Sequence, residues 1–336
     1  MSKARNLSLL STVEAGATAD QTKADIDALG INRGRKNLII NGGMDVWQRG
    51  TSSTASSYQS DRWSTDTAGS HGRSTDAPTG FAYSLKINPS SGNAVIRQAI
   101  ELPAAGVGGV FRAGQQFTVS FWLKSSVGGE GINLFIASAT GVSGGTTQHL
   151  SLTSFATTTT GWVKYTYTYT QAASVGASDT CYNIVPYVVS AAGDTYFTGV
   201  QLELGSVATD FEHRSYGEEL ALCQRYYQRF GAPDDAQVLP FAGMCVSSSV
   251  VYFVGQTYVP MRVQPTGSSV NPSNFRVRNA SNSGIPTISS LGVSAYSNTL
   301  FIATAENASG LTAGHASHLF NYNGSNYGYI QLDAEL

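Results

Sequence analysis

Charged residues are scarce in this chain of 336 residues. Lysine, arginine, aspartate and glutamate make up 12% of it, against about 25% in an average soluble domain, and the formal net charge is −2. A nearly neutral balance argues against nucleic-acid binding, which needs a basic surface. Because so little charge keeps a single copy soluble, the composition favours association with other chains.

Cysteine and long apolar runs are scarce as well. Three widely spaced cysteines, Cys181, Cys223 and Cys245, fit neither a disulfide framework nor a zinc pattern, so we expect reduced, buried thiols. No apolar run approaches the ~20 residues of a membrane span, which predicts no membrane insertion. No signal peptide opens the sequence, so we expect synthesis in a cytoplasm without secretory export.

Glycine and aromatic residues are abundant instead, with 36 Gly, 17 Tyr and 14 Phe. Short β-branched and aromatic runs between glycine-rich loops predict an all-β fold. We expect two β-sandwich (jelly-roll-like) domains joined by an amphipathic helix, with a short helical N-terminal anchor. The boundaries are 1–36 for the anchor, 37–214 for the first sandwich, 215–231 for the helix and 232–336 for the C-terminal β-domain. Residues 37–42 are expected to form a strand that ends in an Asn-Gly turn.

The linking helix has clear ends in the sequence. Ser215 and Glu218 have the spacing of a capping box, and Gly231 supplies a stop signal. At about 100° per residue, the apolar side chains of this segment share one arc, which predicts a contact surface. They are Leu220, Leu222, Cys223, Tyr226, Tyr227 and Phe230. Two partners for this arc stay open, namely the same helix in neighbouring copies of the chain and the domain's own sheet.

The N-terminal segment carries a possible assembly stripe. Ala19, Thr22, Ile26 and Leu29 recur with 3-4-3 spacing, the step of a coiled-coil seam. A helix of about eleven residues is too short to stand alone in water. The stripe therefore packs on its own domain, or it pairs with copies of itself or with a docking partner.

No catalytic constellation is visible in the sequence. Glycoside cleavage commonly uses two carboxylates, but Glu218 already has a capping role, and Asp61 beside Arg62 favours a local ion pair. The GVSGG run at 141–145 has the G-x-S-x-G spacing, but it reads as a glycine-rich loop without the strand-to-helix turn of a nucleophile elbow. His315 and His318 could share a helical face, yet no cysteine or acid stands nearby to complete a metal site. We therefore expect that the chain is not an enzyme and that it binds neither a metal nor a cofactor.

Three groups of motifs stand in order along residues 37–336. They are NLIINGGMDVWQRG at 37–50 with DRW at 61–63, VQLELGSVATDFE at 200–212 with YGEELALCQRYY at 216–227, and MRVQP at 261–265 with YIQLDAEL at 329–336. Together they resemble phage fibre proteins, especially tail-fibre-like proteins of marine and environmental phages. The portion at 200–212 also looks like the last strand of carbohydrate-binding jelly-roll modules.

This resemblance implies a homotrimer on the outside of a virion, whose distal part touches the host surface, usually a glycan. The N-terminal segment would bind a virion adaptor, tail or capsid protein. One feature departs from long fibres, which carry an extended shaft, because only about 36 residues precede the first β-domain. The chain would then sit directly on a tail adaptor, on a longer fibre or on the capsid.

The function expected from the sequence is therefore non-enzymatic recognition of a host-surface glycan by a phage tail fibre. The alternatives are a head fibre or capsid decoration protein with a mainly structural role and, third, a polysaccharide depolymerase spike. Glycan sites combine an aromatic face with amide and hydroxyl groups. The C-terminal candidates are Tyr296, Asn298, Tyr322, Asn323 and Tyr327, unless these tyrosines pack on their own sheet. Trp47 and Trp63 are expected in the core or between subunits.

Overall fold

A computed structural model describes most of the chain. The described residues are 36–54, 57–58, 60–102, 110–141, 146–231, 237–279, 288–306, 310–321 and 328–336. The predicted N-terminal stripe lies outside these residues, as do Tyr322, Asn323 and Tyr327. Within them, no helix combines the length and the apolar character needed to cross a bilayer.

The first part of the described chain is a sandwich of two antiparallel sheets. One sheet has the order β1-β2-β3-β11-β6-β9, and in the other β10 pairs with β4, β5 and β7, and β7 with β8. The strands are Ser52–Ser53 (β1), Gly69–Ser74 (β2), Ser84–Pro89 (β3), Ala94–Val95 (β4), Gln98–Glu101 (β5), Gln116–Ser125 (β6), Gly131–Ala139 (β7), Thr146–Thr157 (β8), Val163–Thr170 (β9), Cys181–Val188 (β10) and Thr195–Leu204 (β11).

The two sheets face each other across one hydrophobic core. Phe117, Val119, Phe121 and Leu123 of β6 are all at most 1% exposed and belong to this core. Leu134 of β7 reaches the same core from the opposite sheet. Such inward side chains from both sheets are what holds a sandwich together.

One α-helix follows in the described part of the chain, α1 (Tyr216–Gln224). Its predicted capping box is present, since Ser215 Oγ accepts the Glu218 N–H at 3.3 Å and Glu218 Oε2 accepts the Ser215 N–H at 3.1 Å. These two bonds satisfy N–H groups that a helix start would otherwise leave free. The cap therefore fixes where the chain leaves the first sandwich.

The helix ends at Gln224, and not at Gly231 as predicted. Beyond it, Tyr227–Phe230 (β12) pairs antiparallel with a C-terminal strand, in a register that places Arg229 opposite Gln331. Aromatic residues fit a half-buried strand well, and this long-range pairing outweighs the helical periodicity of the sequence. A helix continued to Gly231 would leave the C-terminal strand without this partner.

The predicted apolar arc is accordingly not one helical face. Cys223, Tyr226, Tyr227 and Phe230 are at most 4% exposed within their own chain, so they are not free to contact neighbouring copies. Leu220 and Leu222 stay half-buried on α1. The buried residues of α1 are instead Glu219 and Cys223, so its inward face is partly polar.

A second sandwich completes the described chain. Its sheets have the orders β12-β20-β15 and β16-β19-β13-β14-β18-β17, with every pairing antiparallel. The further strands are Gln237–Cys245 (β13), Val250–Gln256 (β14), Thr266–Val270 (β15), Phe275–Asn279 (β16), Ser290–Ala295 (β17), Leu300–Glu306 (β18), Ala316–Asn321 (β19) and Tyr329–Asp333 (β20). They enclose a separate hydrophobic core. The prediction of an all-β fold with two sandwich-like domains and a helix between them is confirmed.

The end of the chain returns to the first sandwich. Glu335 forms ion pairs with Arg49, at 3.2 Å, and with the buried Arg62. Leu336 packs against a small buried cluster that includes Cys181. The three cysteines are buried, as expected, and none of them forms a disulfide bond. The last residues thus connect the two sandwiches.

Residues 37–42 are not the predicted strand. Leu38 N–H donates to Leu202 O at 3.0 Å, but no ladder continues, and Asn41 has a φ of 54°. A left-handed residue cannot continue a strand. The segment instead turns sharply at Asn41, where the loop at 41–48 begins.

Candidate functional site

The loop at 41–48 is organised by the buried side chain of Asn41. Its Oδ1 accepts the N–H groups of Asp45 at 2.8 Å and Val46 at 3.0 Å. Its Nδ2 lies within hydrogen-bond distance of Val46 O at 3.0 Å, Ser60 Oγ at 2.8 Å and Asp61 O at 3.0 Å. Asparagine tolerates the left-handed conformation and supplies both donors and acceptors, so it suits this position.

The backbone of this loop is strained as well as fixed. Met44 has a φ of 58°, and its carbonyl accepts Trp47 Nε1 at 2.5 Å. Gly42 has no room for a side chain, because a Cβ there would lie 2.1 Å from Val200 O. Left-handed non-glycine residues cost free energy and cluster at functional sites. The loop holds Asp45 and Trp47 in defined positions.

Two other elements complete the cleft. Tyr83, just before β3, lies beneath the guanidinium of Arg73 from β2, with 4.5 Å between the Arg73 Cζ and the ring centroid. Thr198 Oγ1 lies within hydrogen-bond distance of Tyr83 O, at 2.9 Å, and of Gly43 O, at 3.1 Å. These contacts connect the β2–β3 hairpin to the 41–48 loop. On the far side Tyr216, at the first turn of α1, is 60% exposed.

The resulting cleft has a volume of about 490 Å³. Aromatic, charged and amide side chains share its lining, which consists of Asp45, Trp47, Gln48, Arg73, Ala82, Tyr83, Arg214 and Tyr216. Ligand sites typically have volumes of about 300–1,000 Å³ with a few placed polar groups. The size and the lining therefore suit a small organic ligand or one to two units of a longer one.

Asp45 supplies an acidic side chain to this cleft. Its carboxylate has no hydrogen-bond partner among the described residues. Burial raises the pKa of the Asp45 carboxyl, and the negative charge of Glu219 raises it further, whereas His213 lowers it. A carboxyl held in this way is a common feature of functional sites.

Arg214, a cation in the lining of the cleft, already has partners within the protein. Its Nη1 lies 3.2 Å from Glu219 Oε1 and 3.0 Å from Ile39 O, and its Nη2 donates to Asn37 O at 2.6 Å. Glu219 Oε1 in turn accepts the Asn41 N–H at 2.5 Å. This network attaches α1 to the loop and so fixes the start of the helix relative to the loop.

The predicted C-terminal site residues lie elsewhere. Tyr296 is 64% exposed at the turn between β17 and β18. Asn298 in the same turn donates from Nδ2 to Met261 O at 3.3 Å, and its carbonyl accepts the Met261 N–H at 2.8 Å. The structure places these two on one turn and leaves them as a second candidate surface, apart from the cleft.

The cleft could not be found from the sequence, although one of its motifs stands out there. Residues 37–50 carry part of the resemblance to fibre proteins, and Trp47 is expected in the core or between subunits. Trp63 is fully buried, as expected, and Trp47 is half-buried, packs against the same core and also lines the cleft. Arg73, Tyr83 and Tyr216 carry no sequence pattern that links them, because only the fold brings them together.

The two histidines considered for a metal site do not share a helical face. In the structure His318 lies on β19, a strand, and His315 precedes it in a turn. Among the residues that the structure describes, no group of three His, Cys, Asp or Glu side chains is placed to hold a metal ion.

Comparisons with known proteins give a likeness of fold. No protein-family model matches the chain, and no curated protein matches it. A cyclase from Fischerella sp. TAU is 11% identical, over 52% of this chain and 99% of the cyclase, with a TM-score of 0.37. A family 16 carbohydrate-binding module is 16% identical, over 39% of this chain and 84% of the module (TM-score 0.28). The enzymatically active domain of bacteriophage CBA120 tailspike protein 4 is 16% identical, over 50% of this chain and 21% of that chain (TM-score 0.35).

These comparisons correct one expectation. The similar structures include cyclases, one of them solved with bound 4-(1H-indol-3-yl)butan-2-one, and an enzymatically active tailspike domain. The prediction that this chain is not an enzyme is therefore withdrawn. At 11–16% identity and TM-scores of 0.28–0.38, the likeness assigns no activity to this chain.

Proposed function

We propose that the cleft between the 41–48 loop, the β2–β3 hairpin and α1 binds a carbohydrate. The observation that carries the proposal is its lining, in which Trp47, Tyr83 and Tyr216 stand beside Asp45 and Arg73. Aromatic rings offer an apolar face to the C–H surface of a sugar, while charged and amide groups bond its hydroxyls. The rigid support of the loop lowers the cost of ordering these groups on binding.

We propose further that the chain serves on the outside of a phage virion as a tail fibre that recognises a host-surface glycan. The support is the resemblance of residues 37–336 to phage fibre proteins, together with the cleft. On this proposal the chain is a homotrimer that attaches to the virion through its N-terminal segment, with the 19–29 stripe at the contact. A trimer mass in solution and labelling of the chain on virions test these two statements.

A binding experiment tests the cleft itself. Purified chain is offered to host cells and to the polysaccharide extracted from them, and Tyr216→Ala is compared with the wild-type protein. Because Tyr216 is 60% exposed, its loss should leave stability unchanged and weaken binding about tenfold. Tyr296→Ala, which removes an aromatic residue from the second candidate surface, is the matched control.

The outcomes separate the possibilities. Equal binding by wild-type protein and Tyr216→Ala, with a loss in Tyr296→Ala, would move the site to the C-terminal turn. Failure of wild-type protein to bind cells or polysaccharide, and to compete with phage adsorption, would contradict glycan recognition and leave the head-fibre or decoration role. Release of reducing sugar from the polysaccharide would identify a depolymerase.

A further inference from the structure

Two opposite charges in the cleft have no ion-pair partner among the described residues. Arg73 is exposed on β2, and among the described residues its guanidinium contacts the Tyr83 ring and pairs with no carboxylate. Asp45, across the cleft, likewise has no ion pair or hydrogen bond to its carboxylate there. Both residues line the same cleft as Tyr216, and their charges act on the pKa of its hydroxyl.

The two charges form no ion pair with each other. Asp45 and Arg73 both line the cleft, but among the described residues no hydrogen bond or ion pair joins their side chains. Arg214, the other cation of the cleft, is committed to Glu219 and to backbone carbonyls. Arg73 is thus the cation that a ligand can engage, and Asp45 is the matching acceptor.

We propose that the sugar bound in this cleft carries a carboxylate, as a uronic acid does, with its carboxylate on Arg73 and its hydroxyl groups on Asp45. This inference rests on the proposed function. A guanidinium holds a carboxylate with two parallel hydrogen bonds, which gives both strength and orientation. Tyr83 supports the guanidinium from below, so less side-chain freedom is lost on binding.

The test compares acidic glycans with their neutral counterparts. Full-length protein is applied to an array of glucuronate- and galacturonate-containing oligosaccharides, each printed beside its carboxyl-reduced form, and hits are titrated by calorimetry. We expect at least roughly tenfold tighter binding of the acidic form, weakened by added salt. Arg73→Gln should lose this preference, while Arg278→Gln, which changes an exposed arginine on β16, should keep it.

Each result decides one statement. Equal affinity for the acidic and the carboxyl-reduced forms overturns the carboxylate inference and leaves glycan binding in place. A preference that survives in Arg73→Gln overturns the assignment of Arg73. Absence of binding to every glycan, acidic or reduced, contradicts the proposed function itself.

Discussion

Glu335→Gln tests whether the end of the chain holds the two sandwiches together. The buried Arg62, 1% exposed, has Glu335 as its acidic partner, and the Glu335 side chain is 6% exposed. Arg62 also donates to Ala99 O and stacks on Tyr226, with its Cζ 3.5 Å from the ring centroid. The change to glutamine keeps the shape of residue 335 and removes its charge.

The expected loss follows from burial. Removing one partner of a buried ion pair costs about 3–5 kcal/mol, because the remaining charge is left uncompensated in a medium that solvates it poorly. Glutamine retains one oxygen acceptor, and the Ala99 carbonyl stays in place, so we expect about 3 kcal/mol. The control variant is Asp333→Asn. Asp333 forms an ion pair with Arg49 at 2.8 Å, but its side chain is 39% exposed. Solvent screening should keep that loss below about 1 kcal/mol.

Urea unfolding followed by tryptophan fluorescence measures the loss of stability in the first sandwich. All four tryptophans, at positions 47, 63, 122 and 162, lie before α1, so the signal reports the first sandwich while the mutation lies at the other end of the chain. The double variant Arg62→Met/Glu335→Leu should recover most of the stability, since apolar residues of similar size often replace a buried pair without loss. A Glu335→Gln loss no larger than that of Asp333→Asn would refute the reasoning.

Two further predictions concern the cleft and its loop. Asp45→Asn should raise the melting temperature at pH 7. Burial and the charge of Glu219 raise the pKa of Asp45 above its unfolded value of about 3.9. The contribution of Asp45 to stability is therefore fully present only below that unfolded value and is lost as the pH rises through the folded pKa. The gain should vanish below about pH 4, and a gain that persists there would contradict this cause. Asn41→Ala should cost about 3 kcal/mol in urea unfolding, because it leaves several buried partners unsatisfied. Asn298→Ala, at an exposed turn, should stay within about 0.5 kcal/mol, and equal losses in the two variants would contradict the role of Asn41.

The parts of the fold that sequence could predict are those governed by local chemistry. Alternating apolar residues in β6 and the Ser215–Glu218 capping box depend on side chains a few positions apart, and both are present as predicted. The end of α1 depends on residues about a hundred positions away, because β12 pairs with β20. A helical period read from residues 216–230 could not contain that information.

The site shows the same limit. The NGGMDVWQRG motif can be noticed in the sequence, but its partners in the cleft come from β2, from the residue before β3 and from the start of α1. Trp47 can therefore only be interpreted alone, and an isolated tryptophan is most often a core residue. Its place in the lining of the cleft becomes visible only once the fold brings Tyr83 and Tyr216 to the same cleft.

The loop that carries this motif links the cleft to the second sandwich. Gln48, which lines the cleft, donates from Nε2 to Asp61 Oδ1 at 3.0 Å and lies 3.1 Å from Tyr227 O of β12. The next residue, Arg49, pairs with Asp333 and Glu335 near the end of the chain. Gln48 thus contacts both the proposed ligand site and β12, and Arg49 beside it contacts the end of the chain. The other polar side chains of this loop have partners within the protein. The carboxylate of Asp45, which has none in the described part of the chain, is an exception that a ligand would explain.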